Sequence, residues 1–223
     1  MGHIVNLLST EHLTHDVLRL RAEKPAGLSY LPGQAVDISL NKEGWKNELR
    51  AFTFTSLPEE DHIEFIIKTY PDRKGVTNQL LSYPAGCELI VQEPFGDIHY
   101  KGEGIFIAGG AGITPFVAIF KQLEKENRVG GNKLIFANKT KADIILESHF
   151  QKLLGKNFIN VLSNEELAGY EHGFISAELL KKHSEESPNA YYYLCGPPPM
   201  MTAVEKHLAA LGVKESQIVR EAF

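Results

Sequence analysis

Four short stretches of this chain set chemically useful groups beside sharp backbone turns. In "CGPPPMM", starting at Cys195, one of only 2 cysteines ends the aromatic run "AYYYL" and stands ahead of three prolines. In "GIFIAGGAGITPF" an apolar run leads into Gly109, Gly110 and Gly112 and then into a helical pattern. Those glycines let the backbone turn tightly and come close to a ligand. Thr114 suits an N-cap and Pro115 the first helical position. The free N–H groups of such a helix start favour an anion, by about 0.3–1 kcal/mol per charge. The chemistry this predicts is phosphate binding. A second turn of the same kind is "KGVTNQLL", where Gly75, Val76 and Thr77 open a short helix. In "RAFTFTS", Arg50, a permanently charged fork donor, shares a strand face with Phe52, and Thr53 points the other way. Two phosphate-favouring turns in different parts of the chain predict two phosphorylated ligands meeting where two domains adjoin.

The glycine loop departs from the usual dinucleotide fingerprint. Its spacing is Gly-x-Gly-x-x-Pro, without the third small residue. The expected acidic residue about 20 positions on, which would hold a ribose, is missing as well. The next strand, "KLIFAN", ends instead in Asn138, followed by Lys139, Thr140 and Lys141. The loop is built for a nucleotide, but not in the ordinary Rossmann manner.

Composition removes several classes of function. With 223 residues, a net charge of −5 and 43% hydrophobic residues, the chain buries a substantial core and carries no signature of nucleic-acid binding. The start "MGHIVNLLSTEHLTHD" is broken by polar residues, so it reads as no signal peptide. No apolar run reaches the roughly 18 residues of a membrane span. Cys87 and Cys195 form no disulfide framework, and the expectation is a reduced, cytoplasmic protein without membrane insertion. An iron–sulfur cluster needs about four cysteines, and the scattered histidines, with His12 and His15 the closest pair, give no metal site.

The elements that must position these groups fall into two rhythms. Up to about His99 the chain reads as short strands: "DVLRLRAE", "QAVDISL", "RAFTFTS", "HIEFIIKTY" and "CELIVQE", separated by Gly/Pro turn signals and one short helix, "VTNQLLSY". Beyond "YKGEG" strands alternate with helices: "GIFIAGG", "PFVAIFKQLEKE", "KLIFAN", "DIILESHFQKLLG", "FINVLS", "AYYYLCG", "MMTAVEKHLAALG" and a final strand "QIVREAF". The first pattern predicts an antiparallel barrel or sandwich. The second predicts a doubly wound α/β parallel sheet covered on both faces. The expected division is 1–100, a flavin-binding antiparallel β-barrel, and 101–223, a nucleotide-binding α/β domain.

In their order along the chain, "PGQ", "RAFT", "IIKTY", "GVTNQL", "PFGD", "GGAGITP", "CGPPPM" and the terminal "EAF" resemble the ferredoxin–NADP reductase family. That flavoprotein class includes cytochrome b5 reductase and oxygenase reductases. The resemblance spans nearly the whole chain and implies FAD and NADH or NADPH as cofactors. It implies that NAD(P)H passes a hydride to flavin N5 and that electrons then go to a separate redox protein: a ferredoxin, a flavodoxin or an oxygenase component. No iron–sulfur or haem domain is expected in this chain. A free flavin or small-molecule reductase, or a non-catalytic nucleotide-binding module, is the alternative.

The resemblance also implies a role for each matching residue. Arg50 pairs with the FAD pyrophosphate, and Ala51 lies beside it. Phe52 takes the position of the family's flavin-stacking tyrosine, without that residue's hydroxyl. Thr53 hydrogen-bonds flavin N5. Ile67, Lys68 and Tyr70 line the flavin, and Gly75, Val76 and Thr77 wrap its phosphates. Gly110, Gly112, Thr114, Asn138 and Thr140 serve NAD(P), with Gly196 and Met200 from the proline turn. Cys195 fills the space beside nicotinamide C4 as a small, polarizable side chain, not as a nucleophile. Glu221 lies near the nicotinamide, and Phe223 covers the exposed flavin face. Lys139 and Lys141 would favour a 2′-phosphate, but Asn164, Glu165 and Glu166 stand where NADPH-specific relatives carry an arginine, so the expectation leans to NADH.

Overall fold

The computed structural model describes residues 2–70, 72–184 and 189–221. Phe223, expected to cover the flavin, lies outside them. The chain divides into two compact units, Met1–His99 with Thr114–Gln122, and Tyr100–Ile113 with Leu123–Phe223.

In the first unit, β1 (His3–Thr14), β2 (Val17–Glu23), β3 (Ala35–Leu40), β4 (Arg50–Thr53), β5 (His62–Lys68) and β6 (Glu88–Phe95) form an antiparallel sheet. The order is β4-β3-β6-β1-β2-β5. A bridge between Phe54 and Phe65 joins the first strand to the last and closes the barrel, which removes open edges. Alternation drives it: Leu18, Leu20 and Ala22 of β2 face the core, while Arg19 and Arg21 face outward. Helix α1 (Val76–Leu80) adds Val76 and Leu80 to that core. The longest strand, β1, is the one that periodicity misses. Irregularities between Leu7 and Ser9 and between His12 and Thr14 shift its phase, so its apolar residues never settle into one alternation.

In the second unit, β7 (Gly104–Gly109), β8 (Lys133–Asn138), β9 (Phe158–Leu162), β10 (Glu171–His172), β11 (Tyr191–Cys195) and β12 (Ile218–Val219) are all parallel. Their order is β10-β9-β8-β7-β11-β12, so the winding reverses between β7 and β11. That reversal is the switch point where ligands of such sheets bind. Helix α3 (Glu147–Leu154) covers one face through Phe150, whose ring is 5.7 Å from that of Phe158. On the other face α4 (Ala177–Ser184) and α5 (Pro198–Ala210) bring Leu179, Leu180, Val204 and Leu208 onto Ile105, Ile107 and Ile135. Helix α2 (Thr114–Lys125) follows β7, and its residues Thr114–Gln122 belong to the barrel unit.

Several elements differ from the sequence expectation. Thr114 is not an N-cap: a 3₁₀ turn over Gly110–Ile113 starts the spiral earlier, and Thr114 is already helical and buried. Helix α3 starts at Glu147 rather than Asp143 because Thr140 and Asp143 close a local turn and Leu146 adopts φ 56°, which breaks the spiral. The final strand shrinks to Ile218–Val219, beyond which Arg220 is held by Glu205 at 2.8 Å and Glu215 at 2.7 Å. Helix α5 begins at Pro198, so two prolines occupy its first turn, where a missing N–H costs nothing. Helix α4 was not foreseen. Among the described residues no helix is long and apolar enough to cross a membrane, and both cysteines are free.

Candidate functional site

The candidate residues fall in both units, and each half stands by itself. In the barrel, Arg50 opens β4 with its side chain half exposed. Its guanidinium donates to the Leu49 carbonyl at 2.6 Å and lies 3.7 Å from Glu48. Both contacts are to residues within two positions of it in the chain. Ala51 is exposed beside it, and the partly buried Phe52 packs one side against the barrel core. Thr53, paired with Ala35 of β3, ends the strand. On β5, Ile67 points into the core, so only its backbone can meet a ligand. Lys68 is committed to Asp16 at 2.7 Å. Tyr70 is exposed, with Arg73 4.8 Å over its ring.

The start of α1 supplies the barrel's other polar surface. Its N-cap, Gly75, has no side chain to offer the N–H groups of Val76 and Thr77, and a Cβ built on Gly75 would meet nothing described within 4 Å. An exposed guanidinium and an uncapped, uncrowded helical turn fit the diphosphate of FAD.

The second half is built at the switch point. Gly110, at φ +51°, makes the turn out of β7. Gly112 then runs so close to β11 that a Cβ would lie 2.2 Å from the Cys195 carbonyl oxygen. Met200 folds back over the turn, and a Cβ on Gly109 or Gly196 would strike its Sδ at 2.6 Å or its Cε at 2.4 Å. The glycine loop and the proline turn, distant in sequence, are thus one interlocked structure.

Cys195 ends β11, and burial, with the Glu221 carboxylate adding to it, pushes its thiol up to about 12. The sulfur is therefore a neutral thiol at physiological pH, and Glu221 is near enough to act on it. Asn138, at the end of β8, is buried, and its Nδ2 has no hydrogen-bond partner among the described residues. A buried donor without a partner costs about 1–3 kcal/mol, and beside the Gly110 turn it fits a dinucleotide.

Beyond Asn138 the sheet edge carries a groove lined by Thr140, Lys141, Ala142, Asn164 and Glu165. Thr140 is occupied by Asp143, to which its hydroxyl donates at 2.8 Å. Glu165 accepts from the Lys141 backbone N–H at 2.7 Å. The Lys141 ammonium lies 5.5 Å over the Tyr170 ring, and the hydrogen bond it makes to Tyr170 raises its pKa. Tyr170 in turn donates to Glu147. Sequence reasoning found Lys141 and Glu165 but missed Tyr170 and Glu147. Neither belongs to a motif, and only the fold brings them to the lysine.

The family profile of the oxidoreductase FAD-binding domain matches residues 5–100, and that of the oxidoreductase NAD-binding domain matches residues 106–206. A protein of Aspergillus terreus named NADH-cytochrome b5 reductase 1 is 31% identical over 93% of this chain and 77% of its own length. The reductase component of propane 2-monooxygenase from Mycolicibacterium goodii is 28% identical over 97% of this chain and 66% of its own. In fold, the chain is similar to a ferredoxin NADP+ reductase from Neisseria gonorrhoeae solved with bound FAD and NADP. The TM-score is 0.84 at 20% identity, covering 97% of this chain and 96% of that one.

Proposed function

The chain belongs to the ferredoxin–NADP reductase family of FAD-dependent NAD(P)H oxidoreductases, and on that premise we propose that it oxidises NADH and delivers the electrons singly to a separate redox protein. FAD, when bound, supplies the chemistry that converts a two-electron hydride donor into a one-electron donor. The chain's own residues bind, align and select.

Arg50 and the first turn of α1 hold the FAD diphosphate, the guanidinium by charge-assisted bonds and the turn by backbone N–H groups. Thr53 offers its hydroxyl to flavin N5, and the free side of Phe52 stacks on the cofactor. At the switch point Gly110 and Asn138 meet the dinucleotide. Cys195, held neutral, fills the space beside the nicotinamide without a charge that would repel or attract the transferring hydride. Glu221 lies at the same end of β11. The observation that carries this reading is the interlock of Gly112 with the Cys195 carbonyl. It ties the dinucleotide loop to the thiol within one rigid turn, which is the preorganisation hydride transfer needs.

Selection of NADH follows from the groove at Thr140–Ala142. A 2′-phosphate calls for cations, and the exposed Lys139 and Lys141 are at hand, but the Glu165 carboxylate sits on the Lys141 backbone. A ribose hydroxyl can use that carboxylate as an acceptor, whereas a phosphate is repelled by it. For the acceptor, relatives are named for reducing cytochrome b5 or for serving a monooxygenase. Both names support a protein acceptor over free flavin.

Purified protein supplied with FAD is expected to be yellow and to bleach anaerobically with NADH. Its kcat/KM for NADH should exceed that for NADPH by more than tenfold, a gap of about 1.4 kcal/mol. A chain that takes up no FAD sinks this function, and a preference for NADPH sinks the reading of the groove.

A further inference from the structure

One buried carboxylate of the barrel unit takes no part in the site described so far. Glu64, on β5, has a side chain only 3% exposed, yet three cations surround it. Arg21 Nε is 3.1 Å away, Arg19 Nε 3.7 Å and Lys121 Nζ, from α2, 3.0 Å. Burial opposes its charge, but Lys121 and the two arginines outweigh burial and hold the carboxyl below its ordinary range.

The arginines both address Oε2, whereas Lys121 addresses Oε1, and its second partner is the backbone. Its ammonium donates to the Thr55 carbonyl at 2.7 Å. Thr55 is tied on its other sides too: its N–H donates to the Glu64 carbonyl at 2.8 Å and its hydroxyl to Glu64 Oε1 at 3.0 Å. Lys121 therefore completes a clamp on one residue, at the point where the chain has just left β4.

Thr55 stands two residues beyond Thr53. Thr53 is paired with β3 through Ala35, whereas Thr55, just past the end of β4, is bonded to β5 through Glu64. Phe54, between them, is buried in the barrel core and forms the closing bridge to Phe65. The segment is thus pinned inward by Phe54 and outward by Thr55, with Thr53 immediately upstream. All of these residues, Lys121 included, belong to one compact unit.

We propose that Lys121 is a positioning residue of the flavin site: its grip on Thr55 sets where the Thr53 hydroxyl stands. This rests on the assignment of Thr53 to flavin N5 made above. A purely structural ion pair would affect stability alone, whereas a positioning contact alters the surroundings of the bound flavin.

Lys121→Met is the informative variant, because Glu64 keeps both arginines and is not left as an unpaired buried charge. It is expected to take up FAD with wild-type affinity but to show an altered visible circular dichroism of the bound flavin. The limiting rate of anaerobic reduction at saturating NADH should fall by up to about tenfold, the worth of one neutral hydrogen bond from the Thr53 hydroxyl, with the NADH dissociation constant unchanged. Lys121→Arg should restore both signals. In a Thr53→Ala background Lys121→Met should slow reduction no further, because both changes act through one hydroxyl. If Met at this position costs too much stability, Lys121→Gln is read by the same criteria. A wild-type flavin spectrum and limiting rate in Lys121→Met, or fully additive slowing with Thr53→Ala, overturns the proposal. Failure of the wild-type chain to take up FAD is a separate result, and it removes the function on which the proposal rests.

Discussion

The barrel turn at Gly75 and the sheet turn at Gly109–Gly112 are both glycine-led approaches to a helical turn, and both suit a phosphate, yet their glycines do opposite work. Around Gly75 there is open space: a Cβ there would meet nothing described within 4 Å. Around Gly112 the space is already taken, with the Cys195 carbonyl 2.2 Å from where a Cβ would stand. In the barrel, glycine leaves the space beside it open. In the parallel sheet it lets two distant pieces of the same chain close on each other. The difference follows from topology. A hairpin-connected barrel hangs its turn outside the wall, whereas the switch point of a parallel sheet brings two strand ends side by side.

The largest test of this contrast is Gly112→Ala. The added methyl must displace the backbone of β11, and overpacking of this kind costs about 1–3 kcal/mol or more. The expected result is a lowered melting temperature and NADH binding weakened by at least about tenfold, with FAD uptake unchanged. NADH titration at wild-type affinity would mean the interlock does not shape the dinucleotide site.

Next in size is Arg50→Ala, which tests whether the barrel turn works with the strand beside it. Loss of a charge-assisted bond worth about 1.5–3 kcal/mol should weaken FAD binding by roughly ten- to a hundredfold. The side chain is half exposed, and among the described residues its polar contacts are Leu49 and Glu48, so stability should hold. Isothermal titration of apo-protein with FAD decides it, and full occupancy at low FAD would remove Arg50 from the diphosphate.

The smallest effect is expected from Gly75→Ala. The residue has φ −116° and ψ −179°, which alanine adopts freely. Melting temperature should stay within the shift of about 0.5 kcal/mol typical of surface changes. FAD affinity should drop only slightly, as the methyl takes some of the room left for phosphate. A loss of stability as large as that of Gly112→Ala would erase the distinction between the two turns.

How far the fold could be read varied with how local its causes were. Strand β8 runs over the same six residues, Lys133–Asn138, as its apolar run, because a strand buried on both faces needs only a continuous hydrophobic segment. Strand β1 escaped because its bulges break the alternation that reveals a half-buried strand. Helix α3 was read too long because "DIILESHF" has acceptable helical spacing, while the left-handed Leu146 that interrupts it leaves no compositional mark. Of the candidate site, Arg50, Thr53, Cys195 and Glu221 could be proposed from the sequence because each stands in a short motif. Tyr170, Glu147, Glu64 and Lys121 were not, since each works through a partner far away in the chain.

The sequence by itself determined the two rhythms, the barrel and the parallel sheet they imply, and the family whose motifs occur in order along the chain. Periodicity and turn chemistry act over a few residues and need no knowledge of what lies across the core. Only the tertiary structure decided which glycine stands in open space and which is closed against the Cys195 carbonyl. It alone set the strand order that brings β7 beside β11, the burial and nearby Glu221 carboxylate that keep the Cys195 thiol neutral, and the clamp of Lys121 on Thr55. These depend on through-space contacts between segments separated by dozens of residues, and such contacts exist only once the chain has closed on itself.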